Sequence, residues 1–254
     1  MSKRPLWIFL HVPRTGGNTV SEAFVKMFPK EQILLTSQIR YHPRKVDYSK
    51  IKFIFGHAAY YGIHKKMPDR EPRYFTFLRD PASRQVSHYN MKMQFEKEMI
   101  PFDKWNKNQV RNEMVHFLDL KFKGSESSSI RGTKIFMPLI KMMNYRIVYF
   151  LHALFFRIFG LNRRNDMKKF ENAKKMLDLC WFVGLTEKSD EDFSFLMKSM
   201  GIKNIHFVND GQSRKIMELN DELREKIYKE NPLDVELYKY ASKLRAERLE
   251  QLKK

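Results

Sequence analysis

The hydrophobic positions of this chain fall into short continuous blocks that alternate with helically spaced ones. Leu6–Val12 is an apolar run that stops at Pro13, and Arg14-Thr15-Gly16-Gly17-Asn18 follows it. Val20, Phe24 and Met27 then recur at the spacing of one helix face, with Asn18 or Thr19 as the expected N-cap. The predicted unit is strand, glycine-containing turn, helix. A second apolar run, Phe53-Ile54-Phe55, breaks at Gly56-His57, and a third, Tyr74–Leu78, ends at Arg79-Asp80-Pro81. Beyond it, Val86, Tyr89 and Met93 predict an amphipathic helix with Pro81 in its first turn. Cys180–Gly184 reads as a fourth buried strand. Asp234 to Lys254 predicts a helix with Leu237, Tyr240, Ala241 and Leu244 on one face and a fraying charged end. Such alternation predicts an α/β fold, a three-layer sandwich around a central parallel sheet with a P-loop-like strand-turn-helix. Neither a repeat nor a composition break divides residues 1–254, so one domain is expected.

The stretch from about 99 to 164 is less regular. Gly124-Ser125-Glu126-Ser127-Ser128-Ser129 reads as a mobile loop. Ile147–Phe156 is apolar apart from His152 and is flanked by Arg146, Arg157, Arg163 and Arg164; at ten residues it is too short to span a bilayer as a helix. It either packs into the core or lies on a membrane surface or partner.

Composition narrows the class. Of 254 residues, 43% are hydrophobic, with 21 Phe and 11 Tyr, which excludes a disordered polymer. Lys and Arg number 48 against 29 Asp and Glu, a net charge of +19. That surplus attracts something anionic: nucleic acid, acidic lipid, a phosphorylated nucleotide or an acidic glycan. The lone cysteine, Cys180, forms no intramolecular disulfide and suits a reducing compartment. Leu6–Leu10 is too short for a signal-peptide core, so neither secretory signal nor transmembrane anchor is expected. A cytoplasmic or membrane-peripheral protein is the corresponding expectation.

Two elements carry candidate chemistry. A turn of small residues between strand and helix offers free backbone N–H groups and the positive end of a helix dipole, which together favour an anion. In Pro13–Thr19, Gly16 and Gly17 allow close backbone approach, Thr15, Asn18 and Thr19 supply side-chain donors, and Arg14 adds a permanent charge. The turn lacks the G-x-x-x-x-G-K-[ST] spacing of a nucleoside triphosphatase. In the second element, Leu78 to Tyr89, Arg79 stands at the end of a buried strand, where α/β sheets place ligands. Ser87, two helical turns on, is placed to donate to the same anion. Asp80 is expected to cap the helix or orient an arginine.

In this order, Pro-Arg-Thr-Gly-Gly-x-Thr, a strand ending Gly-His, and Arg-Asp-Pro-x-x-Arg-x-x-Ser resemble the carbohydrate sulfotransferases related to heparan sulfate 2-O-sulfotransferase. Phe182–Glu187 and Asp234–Tyr238 are similar to that family's later blocks. The resemblance covers Trp7 to about Tyr89 and Trp181 to Ala241 and is weakest between about 99 and 164. It implies a donor, 3′-phosphoadenosine 5′-phosphosulfate (PAPS), whose product is PAP; the sequence has no Cys/His metal spacing, so no metal is expected. It implies that Arg14, Thr15, Gly17 and Asn18 hold the 5′-phosphosulfate, that Arg79 and Ser87 hold the 3′-phosphate, and that His57 is the base. Many members have lysine at the position of Arg14; arginine neutralises a leaving phosphate but does not give up a proton.

Other residues have weaker claims. The run His206 to Lys215 suits a loop over the adenine and 3′-phosphate, with Arg214 or Lys215 as the contact. His11 is expected to orient the turn, and Glu22 and Glu187 to position His57 or the acceptor. His88 and Glu22 are the fallback bases. The clusters Arg40, His42, Arg44, Lys45 and His64, Lys65, Lys66 are candidates to meet an anionic acceptor. The expected activity is sulfuryl transfer from PAPS to a carbohydrate hydroxyl, with no specific nucleic-acid partner and an undetermined oligomeric state. The alternatives are a nucleotide-using phosphotransferase and a non-catalytic basic module for nucleic acid or membrane.

Overall fold

The computed structural model describes residues 3–36, 46–56, 59–123, 166–202 and 215–253. Five strands form one sheet: β1 (Arg4–Phe9), β2 (Ile33–Leu35), β3 (Phe53–Phe55), β4 (Arg70–Leu78) and β5 (Phe182–Leu185). Their order is β2-β3-β1-β4-β5, and every pairing is parallel. The order reverses beside β1: the chain leaves it for β2 and β3 on one side, then returns for β4 and β5 on the other. The crevice beyond the carboxyl ends of β1 and β4 is therefore the switch point at which open α/β sheets bind ligands.

The helices are α1 (Gly17–Met27), α2 (Pro81–Met93), α3 (Phe102–Asn106), α4 (Glu113–Lys123), α5 (Asp166–Asp178), α6 (Ser189–Ser199), α7 (Asp221–Glu230) and α8 (Pro232–Lys253). Strand alternation sorts side chains to two faces. Leu6, Ile8, Ile54, Tyr74 and Val183 meet α4, α5 and α8 on one face. Trp7, Phe9, Phe53, Phe75 and Phe182 meet α1 and α6 on the other. The second layer is aromatic: the Phe24 ring of α1 stacks on Phe53 with centroids 3.8 Å apart. A smaller cluster joins α2 to α3 and α7 through Val86, Tyr89, Trp105 and Ile227.

Several expectations are corrected. β1 ends at Phe9, and Leu10, His11 and Val12 run on buried outside the strand. β5 begins at Phe182 rather than Cys180. β2 was not anticipated, although Ile33-Leu34-Leu35 is as apolar as the Phe53-Ile54-Phe55 run of β3. Residues 102–106 and 113–123 form α3 and α4 where irregularity was expected, and α8 runs to Lys253, with Leu249 buried. The Ser-rich loop at 124–129 and the apolar run at 147–156 lie outside the described residues. Among the described residues, no helix is long and apolar enough to cross a membrane.

Candidate functional site

The turn after β1 is built by close packing. Gly16, not Asn18 or Thr19, is the N-cap of α1; its φ of 81° is left-handed, a conformation open to glycine at no steric cost. A Cβ on Gly17 would lie 1.9 Å from His11 Nε2, so the buried imidazole fixes the turn as expected, and only glycine fits over it. The buried Thr15 hydroxyl donates to the Val12 carbonyl at 2.8 Å. That commits its one proton to the loop, so Thr15 offers an anion its backbone N–H and not the side-chain donor the sequence suggested. Asn18 is exposed and Thr19 half-buried at the start of α1. Arg14 itself has a φ of 67°, a left-handed non-glycine residue of the kind that clusters at functional sites.

The guanidinium of Arg14 crosses the switch point: its Nη2 donates to Ser87 Oγ on α2 at 2.9 Å. The turn after β1 and the helix after β4, 73 positions apart in sequence, thus meet directly. Arg79, half-buried at the end of β4, has no hydrogen-bond partner among the described residues. Desolvation lowers its pKa, the carboxylates of Glu187 and Asp80 oppose this, and Arg84 adds to it. Arg14 is likewise lowered by desolvation, then by the charges of Arg79 and Arg84. Arg14 and Arg79 thus repel one another, with Arg84 adding to the repulsion, and an anion beside them would relieve it.

The corner that carries Arg79 is held from three sides. Asp80 caps α2 through Ser83 N–H at 2.8 Å, and its carboxylate also accepts from Arg224 Nη1 at 3.1 Å and from the Tyr228 hydroxyl. It thereby does both things expected of it. Its own N–H donates to Glu187 Oε1 at 3.0 Å, and Tyr238 donates to Glu187 Oε2 at 2.8 Å. Glu187 thus fixes the strand end. One turn beyond Ser87, Asn90 pairs with the backbone of Met217 through two bonds of 2.9 Å, anchoring the chain after Lys215 to α2.

The remaining candidates divide clearly. His57, Arg214 and the cluster Arg40 to Lys45 lie outside the described residues. Lys215 is exposed, with Glu218 at 3.6 Å. His64 Nδ1 is 2.7 Å from the Tyr74 hydroxyl, and Lys66 lies 5.8 Å from the centre of the Tyr48 ring. Glu22 is exposed on α1. His88 is largely enclosed, edge-on to Trp105 and 3.9 Å from Glu113 Oε2. Burial lowers its pKa to about 4; Glu113 opposes the shift, and Arg84, Arg14 and Lys92 reinforce it. An imidazole so far below neutrality is a poor general base at pH 7. Sequence reasoning missed Glu113, whose only signal is a place at the head of a helix.

The His88 shift carries a stability prediction. The unfolded chain takes up this proton near pH 6.5 and the folded chain only near 4, so stability falls as pH drops through that window. Asp234, raised to about 6, acts in the opposite sense, so only a difference between proteins isolates His88. Replacing His88 with Gln is expected to remove an acid-side loss on the order of 2–3 kcal/mol between pH 6.5 and 4. Denaturant melts of both proteins across that range check it, and parallel curves would refute it.

Among known proteins, the profile described as the sulfotransferase family matches residues 1–241. A protein-tyrosine sulfotransferase of Arabidopsis thaliana is 32% identical over 96 residues, which is 37% of this chain and 18% of that protein's length. The crystal structure of a sulfotransferase from Alicyclobacillus acidocaldarius superposes with a TM-score of 0.44 at 13% identity, over 96% of this chain and 97% of that one.

Proposed function

This chain belongs to the sulfotransferase family, and from that premise we propose that it transfers a sulfuryl group from PAPS to a hydroxyl, that of a carbohydrate. The observation that carries the reading is the Arg14–Ser87 bond across the switch point, with Arg79, which has no hydrogen-bond partner among the described residues, at the end of the neighbouring strand. The phosphates of a nucleoside triphosphate run in line from one ribose carbon. Those of a 3′,5′-bisphosphate hang from two positions of the same ribose, so their ligands must stand side by side. A loop that meets a helix through Arg14 and Ser87 suits the second pattern.

PAPS supplies the activated sulfuryl group. Sulfuryl transfer resembles phosphoryl transfer, in which positioning and charge provide most of the catalysis. Arg14 neutralises the 5′-phosphate as it leaves, and its guanidinium keeps its proton throughout. Arg79 and Ser87 hold the 3′-phosphate, the group absent from ordinary adenine nucleotides. His57, two residues after the end of β3, takes the acceptor proton. The same proposal treats residues 1–254 as one catalytic domain.

The carbohydrate acceptor rests on the motif order and the charge of +19, which suits an acidic glycan. A tyrosine hydroxyl is the second reading, favoured by the 32% identity to a plant protein-tyrosine sulfotransferase. Incubation with sulfur-labelled PAPS, a panel of glycans and a tyrosine peptide separates them. Label on glycan is the expected result, and label on the peptide alone would replace the acceptor.

A further inference from the structure

Arg84 has no part in the roles assigned above, yet it is the most buried cation of the site. It shares a face of α2 with Ser87 and His88, at helical spacings of three and four. Its side chain is 3% exposed, and Nη2 donates to Glu113 Oε2 at 2.7 Å and Gln85 Oε1 at 3.3 Å. The other edge differs: Nε and Nη1 are buried with no hydrogen-bond partner among the described residues. Leaving such donors unsatisfied costs about 1–3 kcal/mol each, so structures seldom tolerate it without a use.

Arg245, by contrast, is bonded on two of its nitrogens, with Nε 2.8 Å from both oxygens of the buried Asp192 and Nη2 2.7 Å from Glu191. Arg84 also faces two carboxylates, Glu113 and Asp234, and its charge lowers the pKa of each, but only Glu113 is bonded to it. Its charge also lowers the pKa values of both Arg14 and Arg79. One edge of its fork is therefore held by Glu113, and the other is buried without a hydrogen-bond partner among the described residues, one helical turn before the Ser87 that Arg14 contacts.

We propose that Arg84 is a third guanidinium of the nucleotide site, its Nε and Nη1 edge donating to the 3′-phosphate, with Glu113 the positioning residue that holds its opposite edge. The proposal rests on the PAPS reading of the site. Glu113 is well placed for the task because reciprocal caps fix the start of α4. Asn112 Oδ1 accepts Leu233 N–H and Asp234 N–H of α8 at 3.0 and 3.2 Å, while Asp234 accepts Met114 N–H and Val115 N–H at 3.1 and 2.9 Å.

The test is calorimetric affinity for PAP and for AMP, which lacks the 3′-phosphate, together with melting temperature, in wild type, Arg84→Gln and Arg84→Lys. Arg84→Lys keeps a charge for Glu113 and loses the second edge, so it decides the matter if Arg84→Gln does not fold. The expected result is a PAP affinity lower by about 10- to 100-fold, with AMP affinity held within about twofold. Glu113→Ala is expected to lower the PAP-to-AMP ratio about 5-fold, and Glu113→Gln, which retains an acceptor, to restore most of it. A wild-type preference for PAP that the folded Arg84 variants keep overturns the Arg84 assignment alone, as does a parallel loss of both nucleotides. An unchanged ratio in Glu113→Ala overturns the positioning role. A wild type that binds PAP and AMP equally defeats the PAPS reading itself.

Discussion

Replacing His57 with Ala is expected to cut kcat by roughly 10²- to 10⁴-fold while PAP affinity and melting temperature stay close to wild type, the usual worth of a positioned acid–base group. β3 lies beside β1 and ends at Phe55, so Gly56 delivers the chain to the carboxyl edge of the sheet next to the Arg14 turn. Histidine, with an ordinary pKa of ~6.5, is suited to accept a hydroxyl proton near neutrality. The wild-type rate should fall on acidification as the imidazole protonates, and the variant should lose that limb. His57→Asn, which keeps polarity without basicity, should be nearly as slow. The fallback bases are poorly placed: His88 is held neutral with a pKa of about 4, and Glu22 is exposed on α1. Melting temperature, PAP affinity and the pH–rate curve on the same three proteins decide the matter. A folded, PAP-binding His57→Ala enzyme with near-normal kcat would refute the role.

Arg79→Ala carries the second large effect, on binding rather than on the chemical step. No bond to another described side chain satisfies this guanidinium, so its loss removes a charge-assisted contact to ligand and leaves no internal partner exposed. The expected loss is about 1.5–3 kcal/mol, or roughly 10- to 150-fold in PAP affinity. Melting temperature should change little, because Arg14 and Arg84 lose a neighbouring like charge while Glu187 and Asp80 lose an opposite one. Unchanged PAP affinity by calorimetry would remove Arg79 from the site, and a fall in stability of the same size would make it structural.

The sheet was largely legible because buried parallel strands are continuous apolar blocks, and Leu6–Val12, Phe53–Phe55 and Tyr74–Leu78 are bounded by proline, glycine or charge. Local chemistry was legible too: Pro81 opens α2, and Asp80 caps it. Thr15 was misjudged because its composition suits an anion loop, whereas its direction depends on the Val12 carbonyl three residues back. What the sequence hides is partnership at a distance. Glu113 is 29 positions from Arg84, and Arg224 and Tyr228 are 144 and 148 positions from Asp80. No period or motif links such residues; the sheet order brings them together. Helices α3 and α4 were overlooked although Met114, Val115 and Leu118 are helically spaced, because the polar segments around them masked the period.

The central claim is that the crevice between β1 and β4 recognises a nucleotide through two phosphates on one ribose. Titrating the wild-type protein with PAP and with AMP in the same buffer tests this most directly. Each charge-assisted contact to the 3′-phosphate contributes about 1.5–3 kcal/mol, so Arg79 alone makes PAP the tighter ligand by at least ~10-fold. Equal affinity for PAP and AMP would contradict the account.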